Sequence, residues 1–402
     1  MVEQANPYVL RLSSEKAAFP KTGQSTLSEL DIELTERCNN NCIHCCINLP
    51  ADDAVAHKRE LTTAAIKEIL KEAASLGCLS IRFTGGEPLL RDDFEELYLY
   101  ARRLGLKVLL FTNATLISPS LAELLAAIPP LEKIEVTLYG MKKVSYEAAT
   151  RTPGSFDAAR RGIHLLLERQ VPFIVKSALL PHNRDEVEEF ETWASTIPWM
   201  EDPPTYSVFF DLHCRRDQNK NEIIRKVRPT PREGLQFLAR KKTAYLKELR
   251  AFCSRFVGPT GDKLFSCGAG VGGACVDSYG NLQPCMGLRH PDTVYDLKKG
   301  SIEKAMKEFF PLVRKRKAAH PDYLARCARC LLKGLCEQCP GKSWMEHGTL
   351  DTPIEYLCEI AHAQGRSLGL LGEKEQAWEI RDWEKRIRDF SEEREHGLRN
   401  AC

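Results

Sequence analysis

The stretch Leu34-Thr-Glu-Arg-Cys-Asn-Asn-Asn-Cys-Ile-His-Cys sets Cys38, Cys42 and Cys45 in a C-x3-C-x2-C array. Three thiolates on one short loop can hold three irons of a cubane cluster and leave its fourth iron without a protein ligand. An open coordination position is what catalysis asks of a metal, whereas a closed four-ligand site is structural. A zinc loop is the competing reading, with Cys46 or His44 as fourth ligand, although ligands adjacent to Cys45 fit a tetrahedron poorly.

A second concentration of cysteine lies far downstream. Of 16 cysteines in all, eight fall between 267 and 358, as Cys267-x7-Cys275-x9-Cys285 and Cys327-x2-Cys330-x5-Cys336-x2-Cys339-x18-Cys358. Two C-x2-C pairs are the usual sign of zinc, yet eight cysteines also divide evenly into two four-ligand sets. Disulfide scaffolds are short, secreted chains. This chain has 402 residues, and its Met1–Pro7 start carries Glu3 and no apolar stretch, so no signal peptide is read there. The expectation is a cytoplasmic protein whose cysteines are metal-bound thiolates.

With Gly85-Gly86-Glu87-Pro88 following it, the cysteine loop resembles the paired motifs of the radical S-adenosylmethionine (radical SAM) superfamily. The resemblance covers roughly residues 30–210. It implies that Cys38, Cys42 and Cys45 ligate a 4Fe–4S cluster whose unique iron binds the amino and carboxylate groups of SAM. It also implies that Gly85, Gly86, Glu87 and Pro88 form the loop that meets the methionyl amino group. Two glycines let a backbone approach a ligand closely, which suits that use; a plain turn is the alternative. Thr112, Asn113 and Thr137 are implied against adenosine and carboxylate, and Ser177 against the ribose. Each could equally satisfy local backbone groups. The implied chemistry is one-electron cleavage of SAM to methionine and a 5′-deoxyadenosyl radical that takes hydrogen from an unactivated carbon, with electrons from a donor such as flavodoxin or ferredoxin.

The rear cysteines resemble the SPASM domain, a C-terminal module of radical SAM enzymes with two auxiliary 4Fe–4S clusters and interleaved ligands. Carried over, one set is Cys267, Cys275, Cys285 and Cys339, and the other is Cys327, Cys330, Cys336 and Cys358. Two departures bear on the first set. The family's C-x5-C-x3-C spacing ends in x2 here, and Cys275 is not always present in the family, so an open or differently closed first cluster is the alternative. Cys46, Cys78, Cys214, Cys253 and Cys402 are left over, and Cys78 reads as a small buried hydrophobe. Cys214, with Asp211 and His213 in Asp211-Leu-His-Cys-Arg-Arg-Asp, is the candidate for proton or hydrogen-atom transfer to substrate. A polar loop is the plain reading of the same segment.

These groups need a frame that brings them to one surface. Strand-like runs at 30–34, 79–84, 107–112, 133–138, 173–179 and 206–210 alternate with helical patterns at 61–74, 94–104, 120–127, 156–170 and 184–196. The alternation predicts parallel βα units. Six units, against the eight of a closed barrel, predict an α/β fold built on a partial (β/α)6 TIM-like barrel, open on one side, with catalytic groups at its C-terminal strand ends. The predicted order is an N-terminal segment (1–29), the barrel (30–215), a Lys/Arg-rich bridge (216–260), a cysteine-rich SPASM-type domain (261–362) and a helical tail (363–402). Trp378, Trp383 and Phe390 form a thin aromatic stripe along that tail.

Lys and Arg number 57 against 55 Asp and Glu, a net charge of +2. No basic face marks nucleic acid or an anionic membrane as a partner, and no run approaches the ~20 apolar residues of a membrane span. That weakens the non-enzymatic alternative of a zinc-stabilised scaffold or nucleic-acid binder. The SPASM resemblance implies an oxidoreductase-type maturase acting on a ribosomally made peptide or a protein, by cross-link, thioether or epimer formation. Sulfatase maturases carry Asp after the cysteine matching Cys285; Met286 stands there instead. Only 37 residues precede Cys38, too few for a leader-binding domain, so a separate recognition protein is expected for a peptide. Radical modification of a small molecule such as a tetrapyrrole is the alternative.

Overall fold

The computed structural model describes residues 27–390, apart from 242–244, 248, 251 and 253–257. The readings of the first 26 residues, of Cys253 and of Cys402 lie outside the described residues. Six parallel strands carry the fold: β1 (Glu29–Thr35), β2 (Ser80–Gly85), β3 (Lys107–Thr112), β4 (Leu131–Thr137), β5 (Ile174–Ala178) and β6 (Thr205–Ser207). They pair in sequence order. Between them run α1 (Thr63–Ser75), α2 (Phe94–Arg103), α3 (Pro119–Ala127), α4 (Lys143–Thr150), α5 (Ser155–Glu168) and α6 (Val187–Ala194). This is the expected α/β architecture of a partial barrel.

Local chemistry starts the helices where the hydrophobic period begins. The Thr62 hydroxyl accepts from Ala65 N–H before α1, and Ser118 does the same for Leu121 ahead of Pro119. Each satisfies one orphan donor of a helix N-terminus. Along β1, Leu30, Ile32 and Leu34 join Ile66, Ile69 and Leu70 of α1 in the core, while Asp31, Glu33 and Thr35 take the opposite face. Successive side chains of a strand alternate between faces, so every polar inner residue below follows from this register.

The sheet does not end at β1. A strand from the cysteine-rich region, β7 (Gly273–Val276), pairs with it in parallel, Asp31 opposite Cys275. The short antiparallel strands β8 (Asn281–Gln283) and β9 (Tyr295–Asp296) follow. Nine strands result, in the order β9-β8-β7-β1-β2-β3-β4-β5-β6. The edge of β1 that a six-stranded barrel would leave open is therefore covered, which removes a row of unpaired backbone groups. A four-residue strand carries too little periodicity to be read from sequence.

The chain divides into two compact units. One runs to Arg228 and includes Gly268–Val313; the other is Pro229–Cys267 with the residues from Arg314 onward. The predicted bridge at 216–260 and domain at 261–362 are thus cut differently. Helix α7 (Gln218–Val227), capped by Asp217 on Lys220 N–H at 3.0 Å, stays with the barrel, as do β7 to β9. The second unit holds α8 (Pro231–Leu238), α9 (Pro321–Ala325), α10 (Pro340–His347) and α11 (Glu355–Ser367). Its own core gathers Leu331, Leu332, Leu335, Ala361 and Leu368, and Trp378, Trp383 and Phe390 pack against it as the expected stripe. The tail is helical again over 383–390. Among the described residues no helix is long and apolar enough to cross a membrane.

Candidate active site

The cysteine loop leaves the C-terminal end of β1 and is held from several sides. Asn41 N–H donates to Thr150 O at 2.9 Å and Ile43 N–H to Ala149 O at 3.0 Å, so the loop occupies the free carbonyls at the end of α4. Asn48 Nδ2 donates to Asn40 O at 2.9 Å, and Lys220 Nζ of α7 reaches Asn48 Oδ1. Cys38 and Cys42 are buried and Cys45 half-buried. Donors aim at the sulfurs: Asn40 N–H stands 3.4 Å and Asn113 Nδ2 3.8 Å from Cys38 Sγ, and the Tyr139 hydroxyl bonds Cys42.

Burial pushes the Cys42 thiol up to about 12 and Cys38 higher still. A thiolate at that depth needs a cationic partner, which an iron cluster supplies. Asn40, between the two cysteines, has both side-chain polar atoms buried and without a partner. Donor type, burial and the orphaned amide all fit a cluster at Cys38, Cys42 and Cys45. Among the described residues no group of three or more His, Cys, Asp and Glu is gathered tightly enough to hold a single metal ion; a cubane asks less convergence, since each thiolate takes its own iron.

The Gly-Gly-Glu-Pro turn is built against this loop. Gly86 N–H donates to Thr35 O at 2.7 Å and Glu87 N–H to Arg37 O at 2.9 Å. A Cβ on Gly86 would lie 2.2 Å from Arg37 O, and one on Gly85, whose φ is +133°, 2.0 Å from Thr35 O. The glycines are required by the backbone leading into Cys38, a reason the sequence alone did not supply. Pro88 is buried and opens a 3-10 turn, Pro88–Leu90. The Glu87 carboxylate accepts from Thr112 Oγ1 at 2.8 Å, Asn113 N–H at 2.8 Å and Leu89 N–H at 3.2 Å. Burial pushes its pKa up to about 7 against those three bonds.

Asn113 continues the chain of contacts, its Nδ2 donating to Asn39 Oδ1 at 2.9 Å and its Oδ1 accepting from Thr115 N–H at 2.9 Å. Thr112, Asn113 and the turn are therefore brought to the cysteine loop. Thr137 ends β4 half-buried, on the inward face it shares with Glu135. Ser177 is not brought there. It shares a face with the core residue Val175, and its register partner Tyr206 packs on Phe190 of α6, ring centroids 5.9 Å apart. Lys176 takes the inward place, 2.8 Å from Glu135 and above the Phe111 ring.

Of the segment past β6, His213 is 2% exposed, bonds the backbone of Cys45, and has no partner at Nδ1. Burial, with Arg216 and Lys220 adding, pulls its pKa down to about 4, so it is neutral. It props the cysteine loop. Cys214 is half-buried with a left-handed φ of 33°, followed by Arg215 at 61°; non-glycine residues there store strain typical of functional sites. Burial pushes its thiol up, and Cys46, Asp211 and Cys214 stand within electrostatic reach of one another. His44 lies between Tyr139 and Phe210, centroids 4.9 and 5.1 Å away.

A buried charge cluster escaped the sequence reading. Arg289 pairs with Glu33 and lies 3.6 Å from Glu36. Glu36 also binds Arg216 and accepts from the Tyr279 hydroxyl at 2.7 Å. Cys275, fully buried on β7, faces this cluster and Asp31. One signal was available: a parallel strand buried on both faces reads as continuously apolar, so Asp31 and Glu33 announced inner partners. Arg289, 256 residues from Glu33, announced nothing.

In the second unit, Cys327, Cys330, Cys336 and Cys358 line one cavity with Arg326 and His362. These are the four residues of one interleaved set. Burial pushes Cys330 and Cys336 up to about 12, and Arg326 Nε is buried without a partner; both fit an iron cluster there. The other set divides, Cys275 and Cys285 in the first unit, Cys267 and Cys339 in the second. Cys267 is exposed, and Cys339 caps α10.

Comparison with known proteins agrees with this geometry. The Radical SAM superfamily family model matches residues 32–194. An AdoMet-dependent heme synthase of Methanosarcina barkeri is 31% identical over 191 residues, 48% of this chain and 52% of that protein. A PqqA peptide cyclase of Xanthomonas euvesicatoria is 31% identical over 157 residues, 39% of this chain and 41% of that one. The chain thus spans about half the length, or less, of these relatives. Among solved structures, SuiB of Streptococcus suis bound to S-adenosylmethionine aligns with a TM-score of 0.60 at 18% identity, over 83% of this chain and 77% of that one.

Proposed function

We propose, from the radical SAM domain that residues 32–194 form, that this chain cleaves S-adenosylmethionine reductively and removes hydrogen from a substrate. The observation that carries the reading is the clamp in which the Gly-Gly-Glu-Pro turn hydrogen-bonds the backbone of Thr35 and Arg37 directly before Cys38. When bound, a 4Fe–4S cluster and SAM supply one-electron scission of a carbon–sulfur bond and a carbon radical that abstracts hydrogen. The chain's own residues hold and shield that chemistry. Cys38, Cys42 and Cys45 would be the cluster's ligands. Asn40 N–H, Asn113 and Tyr139 direct donors at their sulfurs and so orient them.

Glu87 fixes the turn to the end of β3, and by the resemblance the backbone of Gly85 and Gly86 would meet a ligand ammonium. Cys214, a neutral thiol on a strained turn, is the candidate to give a hydrogen atom to a substrate radical; the thiyl radical left behind would take one electron from the flavodoxin- or ferredoxin-class donor and a proton through Asp211. Cys327, Cys330, Cys336 and Cys358 would hold an auxiliary 4Fe–4S cluster for electron transfer. The electron donor would be of the flavodoxin or ferredoxin class.

The substrate proposed is a peptide or protein side chain. Its support is the fold shared over most of this chain with SuiB, a protein also seen bound to its precursor peptide SuiA. A tetrapyrrole is the second reading. The heme synthase likeness favours it, as does a 37% identical match over 131 residues, 33% of this chain and 32% of that protein, to an Fe-coproporphyrin III synthase of the same organism. Incubating the reconstituted protein with SAM, reductant and either iron-coproporphyrin or a peptide encoded beside it separates the two. The peptide reading predicts 5′-deoxyadenosine formation and a mass change with the peptide alone; turnover with the porphyrin alone overturns it.

A further inference from the structure

Arg326 and His362 form a polar frame on Cys358. The Arg326 guanidinium is gripped by the Glu355 carboxylate at 2.6 and 2.9 Å and lies 4.6 Å from the centre of the Trp378 ring. Held in that plane, its Nη2 points at Cys358 Sγ, 3.6 Å away. His362 follows Cys358 by one helical turn on α11. Its Nε2 accepts the Ala377 backbone N–H at 3.1 Å, so the proton of the neutral ring sits on Nδ1. That Nδ1–H lies 2.8 Å from Cys358 O and 3.5 Å from its Sγ. The Trp378 ring meets the His362 ring edge-on at 5.1 Å. One indole thus packs both donors.

We propose that Arg326 and His362 are positioning residues that set the reduction potential of the cluster held by Cys327, Cys330, Cys336 and Cys358. The inference rests on the auxiliary-cluster reading above. Hydrogen bonds to cluster sulfurs stabilise the reduced state, which carries one more negative charge, and so raise the potential. The ion pair with Glu355 offsets most of the guanidinium's net charge, so the directed N–H bond is the larger part of the effect. The step tuned is addition of one electron from a low-potential donor to that cluster, with no bond made or broken.

The test uses the full chain, reconstituted anaerobically, with iron counted and midpoint potentials read by electron paramagnetic resonance. The variant with Cys327, Cys330, Cys336 and Cys358 all replaced by Ala should lose about four irons and one reducible signal, which identifies the cluster; an unchanged iron count there overturns the cluster reading, and this inference with it. Arg326→Gln should keep full iron and move that signal's midpoint to more negative potential, while the signal of the cluster at Cys38, Cys42 and Cys45 stays put. Full iron with an unmoved midpoint overturns the inference and leaves the cluster standing. Where Arg326→Gln loses iron, Arg326→Lys decides: a negative shift at full iron supports the role, and no shift rejects it.

Discussion

The Glu87 carboxylate accepts the Asn113 backbone N–H at 2.8 Å, and the Asn113 side chain stands 3.8 Å from Cys38 Sγ. Through these two residues the Gly-Gly-Glu-Pro turn, the end of β3 and the first cysteine become one piece. The turn and the cysteine loop, 40 to 50 residues apart in sequence, are thus mechanically linked. Perturbing the turn should be felt at the cluster.

Gly86→Ala is the direct perturbation. Its Cβ would meet Arg37 O at 2.2 Å, and that contact is backbone, which yields poorly. Overpacking of this kind costs ~1–3 kcal/mol or more. The expected outcome is a protein that folds less stably and retains less iron after anaerobic reconstitution. Gly273→Ala, whose Cβ would meet only Glu29 O at 3.7 Å, should behave as the parent in both measurements. Equal iron retention in the two variants would refute the linkage.

Glu87 gives a pH signature. Burial lifts its pKa to about 7 in the folded chain, above the ~4.3 of a free glutamate. The folded state therefore keeps a proton that the unfolded chain has released. Stability from this group is whole below about pH 4.3 and is lost as pH rises through 7, by ~3–4 kcal/mol in total. Denaturant unfolding of the parent and of Glu87→Gln between pH 4 and 8 should show a steeper loss in the parent. Parallel curves would mean Glu87 is ionised throughout.

Glu33 and Arg289 are buried partners, and breaking such a pair from one side costs ~3–5 kcal/mol because the other charge stays uncompensated. Glu33→Gln and Arg289→Met should each destabilise by about that much. The double variant should lose less than the sum, which a double-mutant cycle on unfolding free energies reads as coupling. Additive losses would show that the two charges act independently.

Much of this was legible in the sequence, for physical reasons that differ by element. The strands and helices of the barrel announced themselves through period and capping, as with Thr62 and Ser118. The cysteine loop stood out through its C-x3-C-x2-C spacing, whereas Cys327, Cys330, Cys336 and Cys358 were grouped by the SPASM resemblance, since spacing alone left zinc open. Strand β7 did not, because four residues hold no period and its pairing with β1 spans some 240 residues of chain. The face taken by Ser177 was not legible for a related reason: a strand's face is fixed by register, and Lys176 rather than Ser177 carries the inward parity. Arg289 and Tyr279 became visible only when folding set them beside Glu33 and Glu36.

Quantifying 5′-deoxyadenosine after anaerobic incubation of the reconstituted protein with SAM and a strong reductant tests the central claim most directly. The parent should form 5′-deoxyadenosine and methionine, and the variant with Cys38, Cys42 and Cys45 all replaced by Ala should form neither. Continued cleavage in that variant, or zinc in place of iron in the parent, would contradict it.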